Sequence, residues 1–193
     1  MHLRHLLLAC LFFFPTLAHA VEPQSLTRMR LTVHKEHHFF HNTELTSKFT
    51  FMDDVLARRA PILAIGLKHE ATSWLSAEFL AGWATAKQEP IIELALLPHG
   101  KSLWGSLSAE WRTTTNHSYW FAQAEYTLHN TWLHAGWENE LWGSMTEDEP
   151  WNIRTGPNII LRFKTVEMDF ALHARDVHKQ TSTEFAARFH HYH

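Results

Sequence analysis

Histidine is the residue type with the most chemical potential in this 193-residue chain, which holds seventeen of them. His34, His37, His38 and His41 fall within eight residues, and His190, His191 and His193 close the chain. Neutral imidazole binds zinc, copper or nickel, so these seven are the candidate metal ligands. Their spacing matches neither a zinc site completed by cysteines nor an HExxH helix. On an extended strand His191 and His193 would share one face and His190 would take the other. The plainer reading makes them rim and interface residues, and no cofactor is expected.

A second set could support acyl transfer. Ser118, His117, Glu125, His129 and Glu138 are the right residue types for a nucleophile, a base and an orienting acid. Such groups must lie within hydrogen-bond reach of one another. No recognisable spacing ties them together, and a chain so rich in histidine supplies them by chance.

A third set is more regular. Glu110, Arg112, Glu125, Glu138, Glu140, Arg162, Lys164, Asp169, Arg175, Glu184 and Arg188 stand at the polar positions of alternating segments. In a closed barrel they would interlock as an interior ion-pair network. Carboxylates taken out of water are tolerable only with Arg or Lys partners nearby.

The elements that must position these groups are strands. From about Ser25 onward apolar residues recur at every second position, with no sustained helical spacing. Met168, Phe170, Leu172 and Ala174 alternate with Glu167, Asp169, Ala171, His173 and Arg175. Successive side chains of a strand point to opposite faces, so this segment has one apolar and one charged face. The same alternation marks Leu75–Trp83, Leu103–Arg112, Trp120–His129, Leu133–Glu140, Ile159–Lys164 and Glu184–His190. It is weaker over Leu26–His37, Thr43–Met52, Pro61–Glu70 and Pro90–Leu97. Tight turns are expected at His99–Ser102, His129–Thr131 and Lys164–Val166, and longer polar connections at Thr113–His117, Gly143–Trp151 and Asp176–Ser182. Proline cannot donate to a ladder, so Arg154-Thr155-Gly156-Pro157 is expected to break or bend its strand.

The first twenty residues stand apart. A basic start (His2, Arg4, His5), an apolar run from Leu6 to Phe14 and the small-x-small Ala18-His19-Ala20 build a secretory signal peptide, residues 1–20, cut after Ala20. The run is too short for a membrane helix, which needs about 20 residues. Leu7-Leu8-Ala9-Cys10 only loosely resembles a lipoprotein cleavage box. Cys10 is the one cysteine, so the remainder, 21–193, has no thiol chemistry. Formal net charge is −3, which gives no basic face for nucleic acid. A mean hydropathy of −0.26 argues against helical spans but not against a barrel whose faces alternate. Nine tryptophans and thirteen phenylalanines suit aromatic girdles.

A soluble sandwich or lipocalin-like barrel also alternates. Against it, Ala and Gly share the apolar face with Trp, Phe and Leu; small residues fill a narrow core poorly, whereas lipid chains pack against them freely. Several segments also reach the ten or so residues that a tilted membrane strand needs. The chain therefore resembles the small outer-membrane barrels of Gram-negative bacteria over residues 25–193. The resemblance rests on the signal peptide, the dyad repeat and the alternation of short and long turns. The stretch Trp137–Trp142 followed by Arg154–Phe163 is similar to strand pairs of such barrels. One departure is that they usually end on an aromatic residue, while this chain ends on His193, although Phe185 and Phe189 keep the alternation.

The expected fold is all-β, a closed antiparallel up-and-down transmembrane β-barrel. Eleven segments alternate, but a barrel with both termini on one side needs an even number, so about ten strands are expected, within eight to twelve. The resemblance implies an outer-membrane location, with lipid and the barrel-assembly machinery as partners. The leading function is a non-enzymatic barrel with a charged, largely filled interior, structural, adhesive or passing small solutes. The alternatives are a lipid-modifying acyl hydrolase and a soluble periplasmic barrel that binds metal or an apolar ligand.

Overall fold

The period-two segments each become one strand. A computed structural model describes residues 26–54, 61–85, 88–129, 132–146, 151–177 and 180–192. Among them are eleven strands: β1 (Leu26–Phe40), β2 (Thr43–Asp54), β3 (Ile62–Thr72), β4 (Leu75–Ala84), β5 (Glu89–Pro98), β6 (Leu103–Arg112), β7 (His117–His129), β8 (Leu133–Ser144), β9 (Asn152–Phe163), β10 (Val166–Val177) and β11 (Gln180–Tyr192). Sequence neighbours pair antiparallel all the way round, and β1 closes on β11 to complete the barrel. The expected signal peptide and His193 lie outside the described residues.

The count corrects the parity argument. With eleven strands the first and last run the same way, so Leu26–His34 pair parallel with Glu184–Tyr192. A parallel ladder is slightly weaker per residue but still satisfies the backbone, so one such seam closes an odd barrel. The barrel is thus mixed, not antiparallel throughout.

Two further expectations change. The ladder between β10 and β11 includes Asp176↔Thr181 and Val177↔Gln180, so strand pairing takes up most of Asp176–Ser182, which is not a long connection. β9 passes through Pro157 without a break. Its ladder with β8 includes Trp137↔Pro157 and Glu138↔Gly156. On the β10 side the rungs at Gly156 and Pro157 are missing, and pairing resumes at Thr155↔Ala174 in the same register. The proline's missing donor faces β10, so the gap stays confined to that side.

Connections differ between the two rims. The hairpins β1–β2, β3–β4, β5–β6, β7–β8 and β9–β10 close at one rim, with fewer residues between their strands, and β2–β3, β4–β5, β6–β7, β8–β9 and β10–β11 close at the other. The first is the short-turn rim.

The faces are the reverse of a water-soluble barrel. Glu138, Glu140, Glu184, Arg154, Arg188 and His173 point inward and are at most 2% exposed. Leu63, Ile65, Leu94, Leu107, Ile159 and Leu172 point outward and are between 43% and 57% exposed. Outward aromatics cluster near the ends of this aliphatic band: Phe40, Trp74, Trp132 and Phe163 toward the short-turn rim, Trp83, Trp111, Trp120 and Trp151 toward the other. Inside, one small apolar cluster (Ile62, Ala64, Leu80, Ala84, Ile91) fills the β3–β5 wall. Beside it the β3 and β4 backbones close up at Gly66, where a Cβ would lie 1.8 Å from the Phe79 carbonyl oxygen.

Candidate functional site: a charged lumen

Strand alternation sends every second residue into the lumen, and there carboxylates and cations meet across strands. The deepest cluster lies on β8–β11. The Arg188 guanidinium contacts Glu138, reaches Asp169 at 3.0 Å and Glu140 at 3.8 Å. Arg154 bridges Glu140 (3.2 Å) and Glu184 (3.1 Å), and its guanidinium lies 4.2 Å from the Trp142 ring centre. His173 contacts Glu138, lies 3.9 Å from Glu184, and Arg175 lies 3.7 Å from Glu184. The Asn158 amide donates to Asp169 at 3.2 Å and to Glu138 at 3.4 Å. Four carboxylates thus share three guanidiniums and one imidazole, with side chains packed against one another along one wall. Such a cluster tolerates burial only because every charge in it faces an opposite one.

Elsewhere the lumen holds single cations between two acids. Lys68 lies 2.8 Å from Glu36 and 3.5 Å from Glu44. Arg162 lies 2.7 Å from Glu167 and 3.2 Å from Glu125, with its guanidinium 5.2 Å from the Trp104 ring centre. Arg112 lies 2.9 Å from Glu110 and 3.6 Å from Glu89. Two further pairs cross the interior: Lys48 to Glu93 at 2.7 Å and His34 to Glu78 at 3.1 Å. His134, also inward, lies 3.5 Å from Glu125.

Between these groups is a cavity of about 600 Å³ that reaches the short-turn rim at His99, Trp104 and Lys164. Eight carboxylates line it against five lysines and arginines, so its field is negative. Cations are therefore favoured and anions opposed.

The residues singled out from sequence fare unevenly. Glu110, Arg112, Glu125, Glu138, Glu140, Arg162, Asp169, Arg175, Glu184 and Arg188 all come into interior ion pairs. Lys164 sits in the β9–β10 turn, exposed at the cavity mouth. The same alternation brings in Glu36, Lys48, Lys68, Glu78, Glu89, Glu93, Arg154, Glu167 and His173, which the sequence reading did not include. For Glu36, Lys48, Lys68, Glu89 and Glu93 the signal was faint, because β1, β2, β3 and β5 carry the weaker patterns; Arg154 stood beside a proline, whereas Glu78, Glu167 and His173 already stood on the polar faces of clearly alternating segments.

The histidine sets are split by the pleat. His34 and His190 face the lumen, His37 and His191 face outward, and His41 takes a left-handed turn conformation (φ 47°) stacked on Phe40. Among the described residues no three His, Cys, Asp or Glu side chains converge on a point that could hold a metal. The acyl-transfer set is likewise divided. Ser118 lies outward opposite Trp111 and Gly143, while Glu125 and Glu138 are inward, so nucleophile and acids occupy opposite sides of the wall. The Ser118 hydroxyl donates instead to the Glu110 carbonyl at 3.4 Å. No protein-family model and no curated protein matches this chain.

Proposed function

We propose that the chain is an outer-membrane β-barrel whose acidic lumen gives narrow passage to small cations. The observation that carries this reading is the inverted wall: ionised side chains look into the lumen while Leu, Ile, Phe and Trp look out. An apolar outer surface of this extent is costly in water and favourable in hydrocarbon. Strands of ten to fifteen residues span a bilayer when tilted, and the aromatics at both ends suit its two interfaces. With short turns on the periplasmic side, as is usual for such barrels, the cavity mouth faces the periplasm and β11 ends there. Outward Phe185 and Phe189 on that strand then present the segment offered to the assembly machinery. The deep β8–β11 cluster narrows the path, so conductance is small.

Fractionation tests the location. The protein is expected in the Sarkosyl-insoluble envelope fraction, and its gel migration is expected to shift on boiling. Release with the soluble periplasmic contents would overturn the reading. Selectivity is tested separately in a planar bilayer under a KCl gradient. The reversal potential should favour potassium, and Glu125→Gln with Glu167→Gln should weaken or reverse that preference. A potential equal for wild type and double variant would detach the acidic lumen from conduction.

A further inference from the structure

The excess acid of the lumen sits at two poles of one cavity. On the β3–β4 wall Glu70 and Glu78 both line it. Among the described residues neither has a lysine or arginine within ion-pair distance; Glu78, 5% exposed, faces His34 at 3.1 Å. At the second pole Glu125 and Glu167 share one guanidinium, that of Arg162.

Ser76 stands between the two acids of the first pole. It is the rung partner of Glu70 and lies two residues before Glu78 on the same face of β4. It is 3% exposed and lines the cavity, and its hydroxyl has no hydrogen-bond partner among the described residues. Buried hydroxyls are as a rule paired, so this one points to a group that enters from the cavity. The row of Glu78 continues through Ala95 to Ser108, and these small side chains hold the space open.

Along the strands the cavity stops short of the opposite rim. On β4–β7 its deepest members are Glu78, Glu93, Glu110 and Tyr119, and none of the described residues at that rim lines it. A bare ion can slip past a constriction that holds a bulkier cation. An ammonium has three donors and no acceptor, which suits carboxylates and an unpaired hydroxyl. Ile62, Ala95, Leu97 and Phe121 in the same lining offer apolar surface to a methylene chain.

From these features we infer that the cavity holds a linear aliphatic polyamine, entering from the short-turn rim. One ammonium sits at Glu70, Ser76 and Glu78, and another lies toward Glu125 and Glu167. The inference deepens the reading of the lumen as a cation path and rests on its acidic, accessible interior. The field that draws in a bare ion retains a longer cation with two charges.

Calorimetry on the detergent-purified full chain tests it, with spermidine, putrescine and uncharged butanediol as probes. Spermidine is expected to bind saturably, one per barrel and more tightly than putrescine, with no heat from butanediol. Glu70→Gln breaks no ion pair, so the barrel should still shift on boiling while spermidine binds about tenfold more weakly, the loss of one charge-assisted contact. Ser108→Leu, which fills the space without removing a charge, should abolish binding. Equal affinity for the two amines, binding of butanediol, or an unchanged spermidine affinity in both variants would each overturn the site. A barrel that prefers potassium in the bilayer yet takes up no spermidine loses only this site. Spermidine binding without that preference would sink the passage and leave the site standing.

Discussion

Replacing Arg188 with methionine is expected to cost about 3–5 kcal/mol, the usual penalty for breaking a buried ion pair from one side. Arg188 is 2% exposed and is shared by Glu138, Asp169 and Glu140, so its loss leaves three carboxylates crowded on one wall. Its guanidinium also lies 5.5 Å from the Phe121 ring centre, a contact that a thioether replaces incompletely. The urea midpoint of the reconstituted barrel should fall by a large margin. Adding Glu138→Gln and Asp169→Asn to the methionine variant should recover part of the loss, because the remaining repulsion is removed. Lys164→Met, at the exposed turn, should leave the midpoint nearly unchanged. If Arg188→Met and Lys164→Met behaved alike, the interior network would not be what holds β8–β11 together.

A larger effect is expected from a single methyl group at Gly66. A Cβ there would sit 1.8 Å from the Phe79 carbonyl oxygen and 2.8 Å from the Leu80 Cα, both backbone atoms that cannot turn aside. The rungs of the β3–β4 ladder around Gly66↔Leu80 would have to separate, in a wall that also holds the apolar cluster of Ile62, Leu80 and Ile91. Overpacking into side chains typically costs 1–3 kcal/mol, and backbone against backbone exceeds that range. Gly66→Ala is therefore expected to fail to reach the boiling-sensitive folded form. Gly105→Ala provides the contrast, since its nearest neighbours, the Gln123 carbonyl oxygen and the Pro98 ring, would lie 3.1 Å away and need give only a few tenths of an ångström. Gel-shift yield after refolding into detergent measures both. Full folding of Gly66→Ala would mean that β3 and β4 are further apart than described.

These two expectations show what kind of information each level holds. All eleven strands were legible as period-two segments, including the weak ones in β1, β2, β3 and β5, because alternation survives whatever faces the wall. Hairpin positions such as 99–102 and 164–165 were legible for the same reason. The parity of the barrel was not, since nothing local distinguishes a strand that returns antiparallel from one that closes parallel. The passage of β9 through Pro157 was equally hidden: the side on which the absent donor points depends on which neighbour lies there. Arg154 was overlooked as a network residue for that reason, although it proves to be among the most deeply buried cations.

By itself the sequence determined that the chain folds into strands with one apolar and one charged face, and that the charged face carries acids and bases in comparable number. It did not determine which face lies inside, since an alternating pattern is unchanged when the wall is turned over. Closure of the sheet decided that, by placing Glu138 and Arg188 in contact around the axis and leaving Leu63 and Ile65 on the outer surface. Partner choice also belongs to tertiary structure, because an ion pair such as Lys48 with Glu93 joins residues 45 positions apart. Only the curvature that brings β2 opposite β5 puts those charges within reach.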